Sequence, residues 1–229
     1  PSTLSKLDSN NMKLCIGNAT IQPNNVVRDL GVYFDSKLSM QQHISQKKKI
    51  CFFQLRRLRP IRRQLGRQVA QRLVSAFVLS RLDYCNSLLA ELPASTLAPL
   101  QRCQNAAARL VLNLKTSDHI TPALIELHWL PVKQRIIYKI CLLVYKSLSD
   151  LAPLYLRELL VPLSVIPSRF SLRSSSSSDL LIPATRLKFG DRAFAVAGAR
   201  LWNQLPADLR AITDITNFKK QLKTYLFRD

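Results

Sequence analysis

From Leu38 onward the apolar side chains recur at helical rather than strand spacing, and that period commits most of this chain to α-structure. Over residues 41–59, Ile44, Cys51, Phe52, Leu55 and Leu58 fall on one face. Lys47, Lys48, Lys49, Arg56, Arg57 and Arg59 fall on the opposite one. Pro60 lacks an amide hydrogen and is expected to end the run. Residues 67–91 carry the longest helical pattern. Val69, Leu73, Phe77, Tyr84 and Leu88 form one stripe, and Val74, Val78, Leu82 and Leu89 its neighbour. A stripe that wide predicts a helix buried on more than one side, closed by Pro93. Further helices are predicted over 96–114, in a short stretch after Thr121–Pro122, from Pro131 to about Leu148, and over 153–161.

The two ends read differently. MKLCI and ATIQ flank Gly17–Asn18, a two-residue hairpin signal, and NVVRDLGVYF alternates as a third strand. SRFSLRSSSSSD, residues 168–179, is polar and Ser-rich without an apolar period, so an exposed linker is expected there. LLIP and TRLKFG then read as short strands, and GDRAFAVAGARLWNQLP as a small-residue helix ending near Pro206. Phe218 to Phe227 reads as a final amphipathic helix with Phe218, Leu222 and Leu226 in register. The expected fold is mainly α. A multi-helix bundle covers 41–166, a small β element 1–40, a linker 167–179 and a short mixed α/β part 180–229.

Lys and Arg number 34 against 14 Asp and Glu, a formal charge of +20. That excess favours a polyanionic partner, nucleic acid ahead of an anionic membrane surface, over charge carried for solubility alone. KKKICFFQLRRLRPIRRQLGR, residues 47–67, concentrates the charge along an apolar-backed helix. Taken alone it reads equally as a solvated basic face, a membrane-surface helix or a phosphate-binding face. Lys133, Arg135, Lys139 and Lys146 make a second basic set on the helix opened by Pro131. Cys15, Cys51, Cys85, Cys103 and Cys141 are widely spaced without a CxxC, which suits buried free thiols in a reducing compartment. There is no signal peptide and no apolar run long enough to span a membrane, so an intracellular location, nucleus or cytoplasm, is expected. The chain begins with Pro1 rather than Met, which fits a fragment or a trimmed product.

SRLDYCNSLLAELP, residues 80–93, looks chemical because Asp83, Tyr84, Cys85 and Asn86 stand together. A two-metal nucleotidyl transferase needs paired carboxylates, and Asp83 has none nearer than Glu91. A thiol nucleophile needs a histidine, and none is near Cys85 in sequence. The stretch therefore reads as core, with Asp83 and Asn86 as polar plugs satisfied by Arg81 or Arg109. In DHITPALIELHWLPVKQRI, residues 118–136, Glu126 and His128 diverge on a helix and no HExxH occurs. Asp118 is expected to turn the chain there, and Trp129 and Trp202 to anchor packing. Phe52 and Phe53 are expected to pack in the core or along the helix rather than to stack on bases.

The order of these blocks resembles the C-terminal part of the reverse transcriptase of non-LTR retrotransposons of the chicken-repeat, LINE and jockey type. VVRDLGVYFDSKLSMQQHI resembles the segment that closes the polymerase palm and enters the thumb. VLSRLDYCNSLLAELP and LQRCQNAAARLVLNL resemble the helices that follow, and HITPALIELHWLPVKQRIIYKICLLVYKSL is the most specific match. APLYLRELL, LRSSSSSDLLIP, GDRAFAVAGARLWNQLP and FKKQLKTYLF complete the series, with Ala199–Arg200 standing where the family usually has a small residue or Pro before LWN. The resemblance implies a palm edge at 1–40 and a thumb-like bundle at 41–166. It transfers no catalytic residue, because the family's YxDD pair occurs nowhere in this chain.

It implies instead non-specific binding of RNA or an RNA–DNA hybrid through phosphate contacts, without polymerisation by this chain alone. Lys47, Lys48, Lys49, Arg56, Arg57, Arg59, Arg62 and Arg63 are the candidate contacts, with Arg67, Lys133 and Arg135 added from the same basic surfaces. The missing upstream palm and endonuclease region is a further expected partner. No metal, cofactor or small-molecule substrate is expected. A different reading is a co-opted remnant serving as a helical protein-interaction module, which exposed apolar surface at Leu30, Val32 and Phe34 would favour.

Overall fold

The computed structural model describes residues 14–22, 24–165 and 179–228. The Ser-rich linker lies outside them apart from Asp179, as do Met12 and Lys13 of the first expected strand. The fold is mainly helical with β-hairpin structure at the start. Two compact units divide between Gln46 and Lys47.

In the first unit, β1 (Leu14–Ile16) and β2 (Ala19–Ile21) pair antiparallel around Gly17, whose φ is 59°. NVVRDLGVYF is a second hairpin, β3 (Val26–Asp29) with β4 (Val32–Asp35), where one strand was expected. Leu30 and Gly31 take φ of 44° and 81°, the paired positive values that match a two-residue turn to strand twist. Gly31 alone marks that turn in the sequence, and the apolar alternation runs straight through it. Asp35 then turns the chain into α1 (Gln41–Ile61), its carboxylate accepting from the Ser39 and Lys37 amides at 2.8 and 3.2 Å.

In the second unit α1 does not stop before Pro60 but runs one residue past it. Pro60 sits in the last turn, where its missing amide forfeits one bond, and the chain tightens at once into a 3₁₀ turn at Arg62–Gln64. The long helix expected over 67–91 is broken. α2 (Arg67–Val74) widens into a π turn at Ser75–Leu79, resumes as α3 (Ser80–Asp83), and ends at Cys85 with φ 51°. The Ser80 hydroxyl donates to the Ala76 carbonyl, and Arg81 to the Phe77 carbonyl at 2.7 Å, so side chains occupy acceptors within the widened stretch. The break decides which stripe is covered. Val74, Val78, Leu82 and Leu89 are buried, whereas Val69, Phe77, Tyr84 and Leu88 are 47, 40, 52 and 41% exposed.

α4 (Ala94–Leu112), α5 (Ile120–Glu126) and α6 (Val132–Leu148) build the centre, followed by α7 (Leu154–Arg157). Leu97, Leu100, Ala107 and Val111 of α4 and Ile136, Ile140 and Val144 of α6 are buried as their spacing demands. Gln104 is fully buried between them, and its Nε2 donates to the Leu130 carbonyl at 2.7 Å. Gln101 completes the link. Its Nε2 donates to Gln104 Oε1 at 3.1 Å, and its Oε1 accepts from the Val132 amide at 2.8 Å.

The C-terminal helices α8 (Phe194–Asn203), α9 (Ala207–Arg210) and α10 (Ile215–Leu226) belong to this same unit. A Cβ at Gly198 would lie 3.1 Å from Val144 Cγ2, so the small-residue face of α8 lets it approach α6 closely. Phe218 of α10 stacks on Tyr145 at 4.2 Å and meets Trp202 at 5.9 Å. Trp129 and Trp202 are both buried anchors. LLIP and TRLKFG do not form strands, since only Leu180 pairs, in an isolated bridge with Pro162. The Asn203 amide brackets Leu180, accepting from its N–H and donating to its carbonyl, both at 2.8 Å, and so fills the groups a neighbouring strand would use. Cys51, Cys103 and Cys141 are buried free thiols, Cys85 is half-buried and Cys15 exposed. Burial pushes the Cys141 thiol up to about 12.

Substituting Gln104→Ala leaves the buried Leu130 carbonyl without its donor. The expected loss is about 1–3 kcal/mol, read as a lower urea midpoint at an unchanged m value.

Candidate nucleic-acid interface

On α1 the buried side is Lys47, Cys51, Leu55 and Leu58. Lys48, Lys49, Phe53, Arg56, Arg57 and Arg59 are exposed. Lys47 therefore parts from its neighbours. Its ammonium donates to the Tyr84 carbonyl, closing the chain end left open where α3 stops. Burial draws its pKa down, against the opposing pull of Cys85, Cys51 and Asp83.

Past Pro60 the basic run meets α4. Arg62 Nε donates to the Leu110 carbonyl at 2.9 Å, Nη2 to Val111 at 2.6 Å and Nη1 to Leu65 at 2.8 Å. A cation thus satisfies carbonyls in the last turn of α4, where the helix dipole is negative. Arg109 braces the following loop, donating to the Lys115 and Asp118 carbonyls, each at 3.2 Å. Between these helices lies a cleft of about 470 Å³ lined by Arg59, Arg62, Arg63, Arg102 and Arg109, with Asn105 and Asn113 and without an acidic residue. Arg62 and Arg109 are engaged with backbone carbonyls. Arg59, Arg63 and Arg102 are exposed and form no ion pair among the described residues. A concave wall of guanidinium groups without a counter-charge concentrates positive potential in the cleft.

The remaining candidates fall elsewhere. Arg67 pairs with Glu126 at 2.6 Å on the surface, and Lys133 is exposed on α6. Arg135 grips the Asp83 carboxylate with two donors, Nε lying 2.7 Å from Oδ1. The polar latch expected between Asp83 and Arg81 or Arg109 is made with Arg135 instead. Arg81 is turned to its own helix and Arg109 to its own loop, so the helix from Pro131 supplies the fork. Asp118 does turn the chain, its carboxylate accepting from the Lys115 amide at 2.8 Å. Among the described residues no three His, Cys, Asp or Glu side chains gather, and no helix is long and apolar enough to cross a membrane.

Two features escaped the sequence reading. Arg102 and Arg109 were not assigned to a binding surface, although two turns of helix separate them and put them on one side of α4. Phe53 does not pack into the core. It is 49% exposed, and the Arg57 guanidinium lies 5.8 Å from its ring centre. No family model matches this chain, and neither a curated protein nor a solved structure matches it.

Lys47 gives the fold a pH dependence of definite sign. Below its depressed folded value the ammonium is present in folded and unfolded chains alike, and its burial penalty is felt in full. As pH rises from there toward the ordinary 10.5, the unfolded chain holds more protons and the folded state gains. Urea unfolding across that window is expected to show the wild type gaining stability relative to Lys47→Met. A constant difference would remove Lys47 as the cause.

Proposed function

We propose that this chain is the C-terminal part of a non-LTR retrotransposon reverse transcriptase, and that it binds RNA or an RNA–DNA hybrid through the backbone without reading sequence. The arginine cleft carries this reading. Arg59 belongs both to it and to the outer basic face of α1, and Arg63 of the following 3₁₀ turn joins Arg102 of α4 in lining it. Phosphate contacts of this kind position a strand and steer its approach. The ordered sequence blocks that resemble the family supply its placement after a polymerase palm, and such a palm on the same polyprotein is its natural companion. In this reading the chain acts inside the cell, holding template and primer rather than joining nucleotides.

One observation favours a second reading, a protein-interaction module. Leu14, Ile16, Ile21 and Val27 on the hairpins are 60, 60, 51 and 52% exposed, a run of apolar side chains that suits a protein partner. The residues singled out for that reading divide, with Leu30 exposed, Phe34 half-buried and Val32 buried.

Binding of the whole chain to RNA and to an RNA–DNA hybrid across a salt series tests the first reading. The triple variant Arg59→Gln, Arg63→Gln, Arg102→Gln is expected to reduce the salt slope by about 2–3, since each phosphate contact contributes about 0.7–0.9. Arg62 is left intact because it holds α4. Negligible binding at low salt, or an unchanged slope, overturns the proposal.

A further inference from the structure

Among the described residues three guanidinium groups lie over aromatic rings, and one of the three pairs stands in an acid-free setting. Arg28 over Tyr33 is beside Asp29, and Arg192 over Phe189 is beside Asp191. Arg57 over Phe53 is flanked on α1 by Lys49, Arg56 and Arg59, all exposed. A half-exposed phenylalanine costs solvation, and nothing in α1 requires an aromatic there, because the covered side is already filled by Cys51, Leu55 and Leu58. Lys49 to Arg59 span roughly 15 Å of helix at about 1.5 Å per residue, enough to follow several nucleotides of one strand. Cations that track phosphates beside an aromatic face are the two parts of a single-strand site.

Resting on the nucleic-acid reading above, we infer that this surface takes a single-stranded segment and that Phe53 is the platform on which an unpaired base stacks. Arg57 lies over the ring, 5.8 Å from its centre, and adds cation–π attraction to the stack. A duplex offers its phosphates to Lys49, Arg56 and Arg59 but keeps its bases inside, so Phe53 discriminates while the cations do not.

The test uses the full chain with an oligouridine single strand, the matching duplex with oligoadenosine, and an RNA–DNA hybrid of the same length. Phe53→Leu is expected to weaken the single strand at least about fivefold, the lower end of base–aromatic stacking, and to leave duplex and hybrid unchanged. Phe53→Trp is expected to keep or strengthen single-strand binding. Because Phe53 is not core, circular dichroism and the melting temperature of both variants should match the wild type. Wild-type binding that Phe53→Leu leaves untouched overturns the stacking inference alone. Equal loss on single strand and duplex overturns it too. Failure of the wild type to bind any of the three overturns both this inference and the nucleic-acid reading beneath it.

Discussion

The buried amide of Gln104 is the constraint on which the second unit turns. Val132 is the first residue of α6, so its amide has no acceptor within the helix, and the Leu130 carbonyl just before it likewise needs a partner from outside. Gln104 and Gln101, one turn apart on α4, satisfy both. That fixes α6 against α4 in position as well as in contact, which apolar packing alone does loosely. The other attachments hang from α6. Arg135 reaches back to Asp83, Val144 seats Gly198 of α8, and Tyr145 stacks on Phe218 while its hydroxyl donates to the Thr213 carbonyl.

A second consequence is electrostatic. The chain has far more cations than anions, and several of its acids hold structure. Asp83 latches α3 to α6, Glu91 and Asp191 flank Arg200, and Asp179 meets Arg210. Each pair neutralises one of the scattered arginines. The α1–α4 cleft is left with five arginines and no acid. The same geometry divides those five by role. Arg62 and Arg109 are tied to carbonyls and shape the wall, and Arg59, Arg63 and Arg102 face outward.

Much of this was legible in the sequence where the period was long and unbroken. The centres of the α4, α6 and α10 stripes follow their spacing, although Leu148 at the end of α6 is exposed and Leu110 of α4 only half-buried, because a helix packed on one side needs only a stripe. Reading failed where side chains compete with the backbone. Ser80 and Arg81 bond back to carbonyls of the π turn that splits the expected long helix, and Asn203 takes hydrogen bonds that a strand partner of Leu180 would use. Leu30 at positive φ hid the second hairpin, since leucine gives no turn signal. Of the two kinds of packing expected for Phe53, in the core or along its helix, only the second is seen, against Arg57 one turn on.

The sequence by itself determined the helical class, the amphipathic basic α1 and the hairpin at Gly17. These depend on residue type and local spacing, which a chain carries whether folded or not. Only the tertiary structure decided which cations are engaged and which remain outward. Lys47 and Lys48 are adjacent and chemically identical, yet one is bound to the Tyr84 carbonyl and the other is exposed. Arg62 and Arg63 divide in the same way across the end of α4. The rotation of a helix about its axis is set by what packs against it, and partners such as Leu110 or Arg135, some fifty residues away, are brought near only by the fold.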